Sequence, residues 1–227
     1  MRVLVIAPHA DDETLGMGGS IARFVAEGHE VHVALLTGAG EAGPHPFIPA
    51  AEFAAVRAEF GSALDVLGVK HRHLRNLPAV LVEEKPVHEI NAIARDLVAE
   101  TRPDRLYLPF AFDLHLDHRR IFYSFAVQWR AYLPLGMGIR EVYCYETASE
   151  THLAPAYLEP SFSPNAFVDI SSYLEKKLSA LDCYLSQKQS APLPRSREAI
   201  EAQAKYRGAQ IGAAAAEAFV MIRMVER

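Results

Sequence analysis

The chain has 227 residues, half of them hydrophobic and 22% charged, with a formal net charge of -5. That length suits one domain able to bury most of its unfolded surface, and the composition is that of a globular protein. The negative balance, with no Lys/Arg-rich run, argues against nucleic acid, and no apolar stretch nears the roughly 18 residues of a membrane span. Met1 to Ala7 reads as a short buried strand rather than a signal peptide. The two cysteines, Cys144 and Cys183, make neither a metal-type pair nor a disulfide framework, so a reduced, cytoplasmic setting is the expectation.

In chain order, Val3 to Ala7 is an apolar run of the kind buried on both faces of a parallel sheet. Asp12 to Glu27 carries Leu15, Ile21, Ala22 and Val25 at helical spacing and stops at Gly28. Val31 to Leu36 is a second strand, followed by a Gly/Pro-rich loop from Thr37 to Pro49. Ala51 to Leu67 reads as a helix ended by Gly68, and Val87 to Val98 as another opened by Pro86. Arg105 to Leu108 is the next clear strand. This alternation predicts a Rossmann-like α/β fold with a mostly parallel sheet, helices on both faces and the site at the carboxyl edge of the sheet.

The last third is less regular. Ile139 to Tyr145 and Phe167 to Ile170 are candidate strands. Ser172 to Glu175 has the form of a capping box opening a helix with Leu174, Leu178, Leu181 and Leu185 on one stripe. A final helix from Ser196 to about Gly212 and a closing strand from Phe219 to Met224 complete one expected domain over residues 1–227.

Two loops concentrate chemistry. Pro8-His9-Ala10-Asp11-Asp12-Glu13 follows the first strand, and Asp113-Leu114-His115-Leu116-Asp117-His118 follows the strand ending at Leu108. Catalytic zinc commonly takes three ligands from His and carboxylate and keeps a further position for water, whereas structural zinc is closed by four. Two histidines and one aspartate from these loops would supply that set and leave acids and bases over for proton transfer. Either loop alone also fits a plainer role: Asp11 and Asp12 as N-caps and first-turn acids of the following helix, His115 and His118 as surface residues near another. Both loops falling at carboxyl ends of strands favours the metal site.

The first loop resembles the Pro-His-Pro-Asp-Asp-Glu signature of the PIG-L/LmbE family of zinc N-deacetylases, and His115 to His118 resembles that family's His-Pro-Asp-His motif. The likeness runs on through Arg57, Pro164-Asn165, Phe167 to Ile170, Glu175-Lys176-Lys177, Ser186-Gln187, Pro194-Arg195-Ser196, Arg207-Gly208 and Ala216 to Phe219. Ala10 and Leu116 stand in place of the two motif prolines, which bears on loop rigidity rather than ligation. Ala215 stands where relatives often carry tyrosine.

The resemblance implies a zinc ion held by His9, Asp12 and His118, with iron or cobalt also acceptable to such donors. It further implies Asp11 as general base, His115 as oxyanion stabiliser or shared acid, Asp117 as the carboxylate orienting His115, and Arg57 as a contact to a sugar hydroxyl or substrate anion. The expected reaction is removal of an N-acetyl group from a GlcNAc-containing small molecule or conjugate, by a chain that assembles as a trimer or hexamer. The alternatives are hydrolysis of a non-sugar or antibiotic-like amide, and a non-catalytic metal- or sugar-binding protein on the same scaffold. Gly16-Met17-Gly18-Gly19 has the wrong spacing for a dinucleotide loop and points to close packing. His71 and His73 share one face of a short strand without a carboxylate motif; with His29, His32, His45, His88 and His152 they read as structural or surface histidines.

Overall fold

A computed structural model describes residues 1–41 and 43–226. Among these residues seven strands form one sheet: β1 (Arg2–Ala7), β2 (Glu30–Gly38), β3 (His71–Pro78), β4 (Arg105–Pro109), β5 (Glu141–Tyr145), β6 (Ala166–Asp169) and β7 (Ala216–Met224), in the order β3-β2-β1-β4-β5-β7-β6. The first five run parallel, and β7 lies antiparallel between β5 and β6. The helices are α1 (Asp12–Ala26), α2 (Ala50–Leu67), α3 (Val87–Thr101), α4 (Leu116–Ala126), α5 (Leu174–Leu181) and α6 (Arg197–Ala209). No helix among the described residues is long and apolar enough to cross a membrane.

Strand alternation sends Val3, Val5, Val31, Val33 and Leu35 to one face, where they pack on Ile21, Phe60, Leu64 and Ala180 from α1, α2 and α5. Leu4, Ile6, Ala34, Leu36, Leu106 and Leu108 face the other way, onto Ile90, Leu97, Ile121 and Phe125 from α3 and α4. Both faces of the central strands are therefore dry, which explains their unbroken apolar runs.

The structure departs from the expected elements toward the carboxyl end. Ser172 does not cap α5, which starts at Leu174 with no side-chain cap, and Glu175 pairs outward with Arg197 at 2.7 Å. The helix stops at Leu181, which leaves Leu185 off the buried stripe and largely exposed. The strand expected to close the sheet is an inner strand, longer than predicted. It is tied to α1 through Glu217, whose carboxylate accepts the Gly19 and Ser20 amides (3.0 and 2.7 Å) and the Lys177 ammonium (2.6 Å). That fully enclosed pair sits beside Met17, where α1 leaves helical geometry (φ -153°). Glu217 thus supplies acceptors for amides near an interrupted turn.

Close packing, not nucleotide binding, accounts for the α1 glycines. A Cβ at Gly16 would overlap the buried Tyr145 ring, whose hydroxyl donates to the Ile6 carbonyl at 2.7 Å. Gly16→Ala is expected to destabilise the protein by about 1–3 kcal/mol, the usual cost of overpacking a filled core, read as a lower urea midpoint.

Candidate active site

β1 and β4 are parallel neighbours, so the loops leaving their carboxyl ends lie side by side. They also flank the point where strand order reverses, since β2 and β3 continue on one side of β1 while β4 and β5 lie on the other. Such a switch point leaves a crevice between the diverging loops. The two clusters, about a hundred residues apart in sequence, meet there.

His9 Nδ1, His118 Nε2 and Asp12 Oδ2 form a triangle with sides of 3.3, 3.1 and 3.5 Å. Each corner is aimed by a neighbour. His9 Nε2 lies 3.0 Å from Asp117 Oδ2, a carboxylate that also accepts the Val80 and Val82 amides (2.7 and 3.1 Å). His118 Nδ1 lies 2.8 Å from Asp113 Oδ2, and Asp113 Oδ1 accepts the Thr151 hydroxyl at 2.6 Å. The His9 amide donates to Asp12 Oδ2 at 2.8 Å. With their outer nitrogens donating to carboxylates, the two imidazoles turn lone pairs toward Asp12.

Three electron-rich atoms so close require a cation between them. Burial works against charge on all three groups. Asp12 is nevertheless held well below the usual carboxylate range by His118 and His9. His9 is carried up to about 9 by its bonds to Asp117 and Asp12, and His118 is raised by Asp12 and Asp113. Protons meet here the demand a metal would meet. A tetrahedral ion with N and O ligands at about 2.0–2.1 Å spaces its ligand atoms about 3.3 Å apart, so the donor set fits zinc.

Asp11 stands beside the triangle but outside it. Its backbone is left-handed (φ 115°), unusual for a residue other than glycine, and its carbonyl rather than its side chain caps α1. The plainer role of Asp11 as a side-chain cap therefore does not hold. Its carboxylate faces Arg195 Nη1 at 3.4 Å. Burial and the Asp12 charge raise the Asp11 carboxyl well above its usual range, against the pull of Arg195.

His115 is half-buried, its ring centre 4.4 Å from that of His9. Its Nδ1 accepts the Asp117 amide at 3.2 Å, which leaves Nε2 to carry the proton of the neutral ring. Burial and the charge of His9 push it down to about 4, so it stays neutral. Residue 117 thus orients His115 through its backbone amide. Its carboxylate goes to His9, not to His115 as the sequence suggested.

The cleft around these residues has a volume of about 290 Å³. Arg57 lines it, its Nη2 donating to the Arg75 carbonyl (2.9 Å) and to Asn76 Oδ1 (3.2 Å). The guanidinium passes so close over Gly38 that any Cβ there would collide with it. Leu35, Ile48, Phe53, Val56 and Val80 supply an apolar wall to the cleft. Ala10 also lines the cleft, whereas Ala215 is buried against Ile170 and Ala204, away from it.

Four contributors went unassigned in the sequence: Asp113, Arg195, Glu13 and Tyr184. Glu13 accepts the Thr14 and Tyr184 hydroxyls at 2.6 and 2.5 Å, and burial pushes its carboxyl up to about 7. Asp113 had a local signal, five residues ahead of His118 in the same loop. Arg195 and Tyr184 reach the site only through tertiary packing.

Known proteins bear on this arrangement. The family described as PIG-L, GlcNAc-PI de-N-acetylase, matches residues 4–129, a span holding both loops. A diacetylchitobiose deacetylase of Thermococcus kodakarensis is 28% identical over 191 residues, 82% of this chain and 70% of the relative. The conserved protein TT1542 of Thermus thermophilus superposes with a TM-score of 0.74 at 27% identity, covering 100% of this chain and 97% of the other. GalB, the 4-carboxy-2-hydroxymuconate hydratase of Pseudomonas putida, gives the same TM-score at 20% identity, over 100% and 99% of the two chains, and shows likeness of fold alone. The match to more than half of the chain, including both loops of the cleft, places this protein in the PIG-L, GlcNAc-PI de-N-acetylase family.

Proposed function

We propose that the protein is a metal-dependent hydrolase that removes the acetyl group from an N-acetylated amino sugar. The observation that carries this reading is the triangle of His9, Asp12 and His118 with a second acid, Asp11, beside it and free of ligand duty. A metal- or sugar-binding protein needs no such base. The fold by itself does not choose the reaction, because GalB, a hydratase, shares it. The family match and the similarity to a deacetylase favour the amide.

Zinc held by the three ligands would polarise the acyl oxygen and lower the pKa of water to about 7. Asp11 takes a proton from the attacking water as the new C–O bond forms, then returns it to the nitrogen as the C–N bond breaks. The products are acetate and a free amine. His115 Nε2–H donates to the developing oxyanion, a role that needs the neutral tautomer imposed by the Asp117 amide. Arg195 holds the Asp11 carboxylate, and Arg57, braced on Arg75 and Asn76, offers its guanidinium to a sugar hydroxyl. The apolar wall suits the less polar face of a sugar ring.

Asp117 and Asp113 act through the imidazoles they orient. Asp117→Asn is expected to weaken zinc binding about 10–100-fold in chelator competition, the usual cost of losing such a partner. The substrate reading is tested by incubating zinc-loaded protein with N-acetylated sugars and with non-sugar N-acyl amides, measuring acetate and free amine. Acetate from the sugars alone supports it. Turnover confined to the non-sugar amides would overturn the sugar, and no turnover on any amide would favour a binding protein.

A further inference from the structure

The opposite edge of the sheet carries a second cluster of donors. Glu30 is the first residue of β2, His71 the first of β3, and His32 lies directly across from His71 in the parallel ladder. One ligand atom from each of Glu30, His32 and His71 falls within 4.8 Å of the others. The His32 and His71 rings are stacked with centroids 4.5 Å apart. The carboxylate missing from the sequence around His71 and His73 is supplied by the neighbouring strand.

Proximity alone would be weak ground, but the ring contacts add a constraint. His73 Nδ1 faces Glu100 Oε2 at 3.4 Å, and its Nε2 faces His32 Nδ1 at 3.0 Å. If His73 gives its proton to Glu100, its Nε2 is an acceptor, so His32 Nδ1 must carry the hydrogen between them. His32 Nε2 then presents a lone pair. That lone pair points at Glu30 Oε1, 2.9 Å away. With the protons so placed, two acceptors face each other at that distance and need a cation between or beside them, the same condition that marks the catalytic triangle. A proton on His32 would meet it, and so would a metal.

We propose that Glu30, His32 and His71 form a second site for a divalent transition-metal cation, with His73 and Glu100 as the residues that orient His32. Two imidazoles and a carboxylate select zinc, nickel or copper over magnesium or calcium, whose preference is for all-oxygen sites. His32 is buried and already oriented, while Glu30 and His71 are exposed and can close on an ion without disturbing packed side chains. Because β3 is an edge strand, an ion shared by β2 and β3 would pin that edge at the end remote from the cleft. With three protein ligands and water in the remaining position, the site would clamp the two strand ends and is independent of the proposed hydrolysis.

The test is zinc bound per chain, measured by equilibrium dialysis and elemental analysis on the unsubstituted protein, His71→Ala, Glu30→Ala and a control, His88→Ala. His88 is an exposed histidine on α3 outside the cluster. Loss of one ion from both His71→Ala and Glu30→Ala, with His88→Ala unchanged, is the expected result. Acetate release by His71→Ala is expected to match the unsubstituted protein. An unchanged count in His71→Ala would overturn the site and leave His32 as a hydrogen-bonded partner of Glu30. Equal loss from His88→Ala would reduce it to surface adsorption and overturn it as well. If the catalytic triangle held no metal, the count would fall from one to zero rather than from two to one, so the two readings fail separately.

Discussion

Asp11→Asn is expected to lower kcat about 10²–10⁴-fold, the range attributed to a positioned general base. The substitution keeps shape and hydrogen-bonding reach but cannot hold a proton at the relevant step. Asparagine tolerates the left-handed backbone at this position (φ 115°) nearly as well as aspartate, so the loop should survive. Asp11 is not one of the three close donors, and zinc stoichiometry should therefore stay the same. The loss should fall on kcat rather than KM, because the proton moves in the transition state and not on binding. A variant with normal zinc content and undiminished turnover would remove Asp11 from the mechanism.

His118→Ala should have the larger effect. It removes one corner of the triangle, and the zinc retained through gel filtration should fall by one ion per chain. The metal's electrophilic role is worth several kcal/mol of transition-state stabilisation, so turnover should fall by at least about 10³-fold. The variant also leaves Asp113 buried without its imidazole donor, at about 1–3 kcal/mol for an unsatisfied group. A thermal melt separates that loss of stability from the loss of metal. A folded His118→Ala protein that holds as many zinc ions per chain as the unsubstituted protein would contradict the ligand set.

The loops after β1 and β4 were legible because their signals are local: an apolar strand, then acids and histidines within a few residues. Parallel pairing of those strands does the rest, and the sequence already implies it through alternating strands and helices. What a carboxylate touches is not local. Asp117 lies next to His118 and two residues from His115, yet its oxygens reach back across the switch point to His9 and to the Val80 and Val82 amides. Arg195 arrives from beyond α5, 184 residues after Asp11, and no spacing rule connects them. The helix α5 misled for a different reason. Leu174, Leu178, Leu181 and Leu185 continue a helical stripe, but the chain turns after Leu181 and packing decides the end. Glycines such as Gly38 read as loop punctuation until the guanidinium lying against it is seen.

Hydrolysis is proposed to depend on an ion held by His9, Asp12 and His118. The most direct test is acetate release from an N-acetylated amino sugar by protein stripped with a chelator, then titrated with zinc. Absent turnover in the stripped protein, restored in proportion to zinc bound in the triangle and not restored in His118→Ala, is the predicted result. Stripped protein that releases acetate as fast as the zinc-loaded form would contradict it.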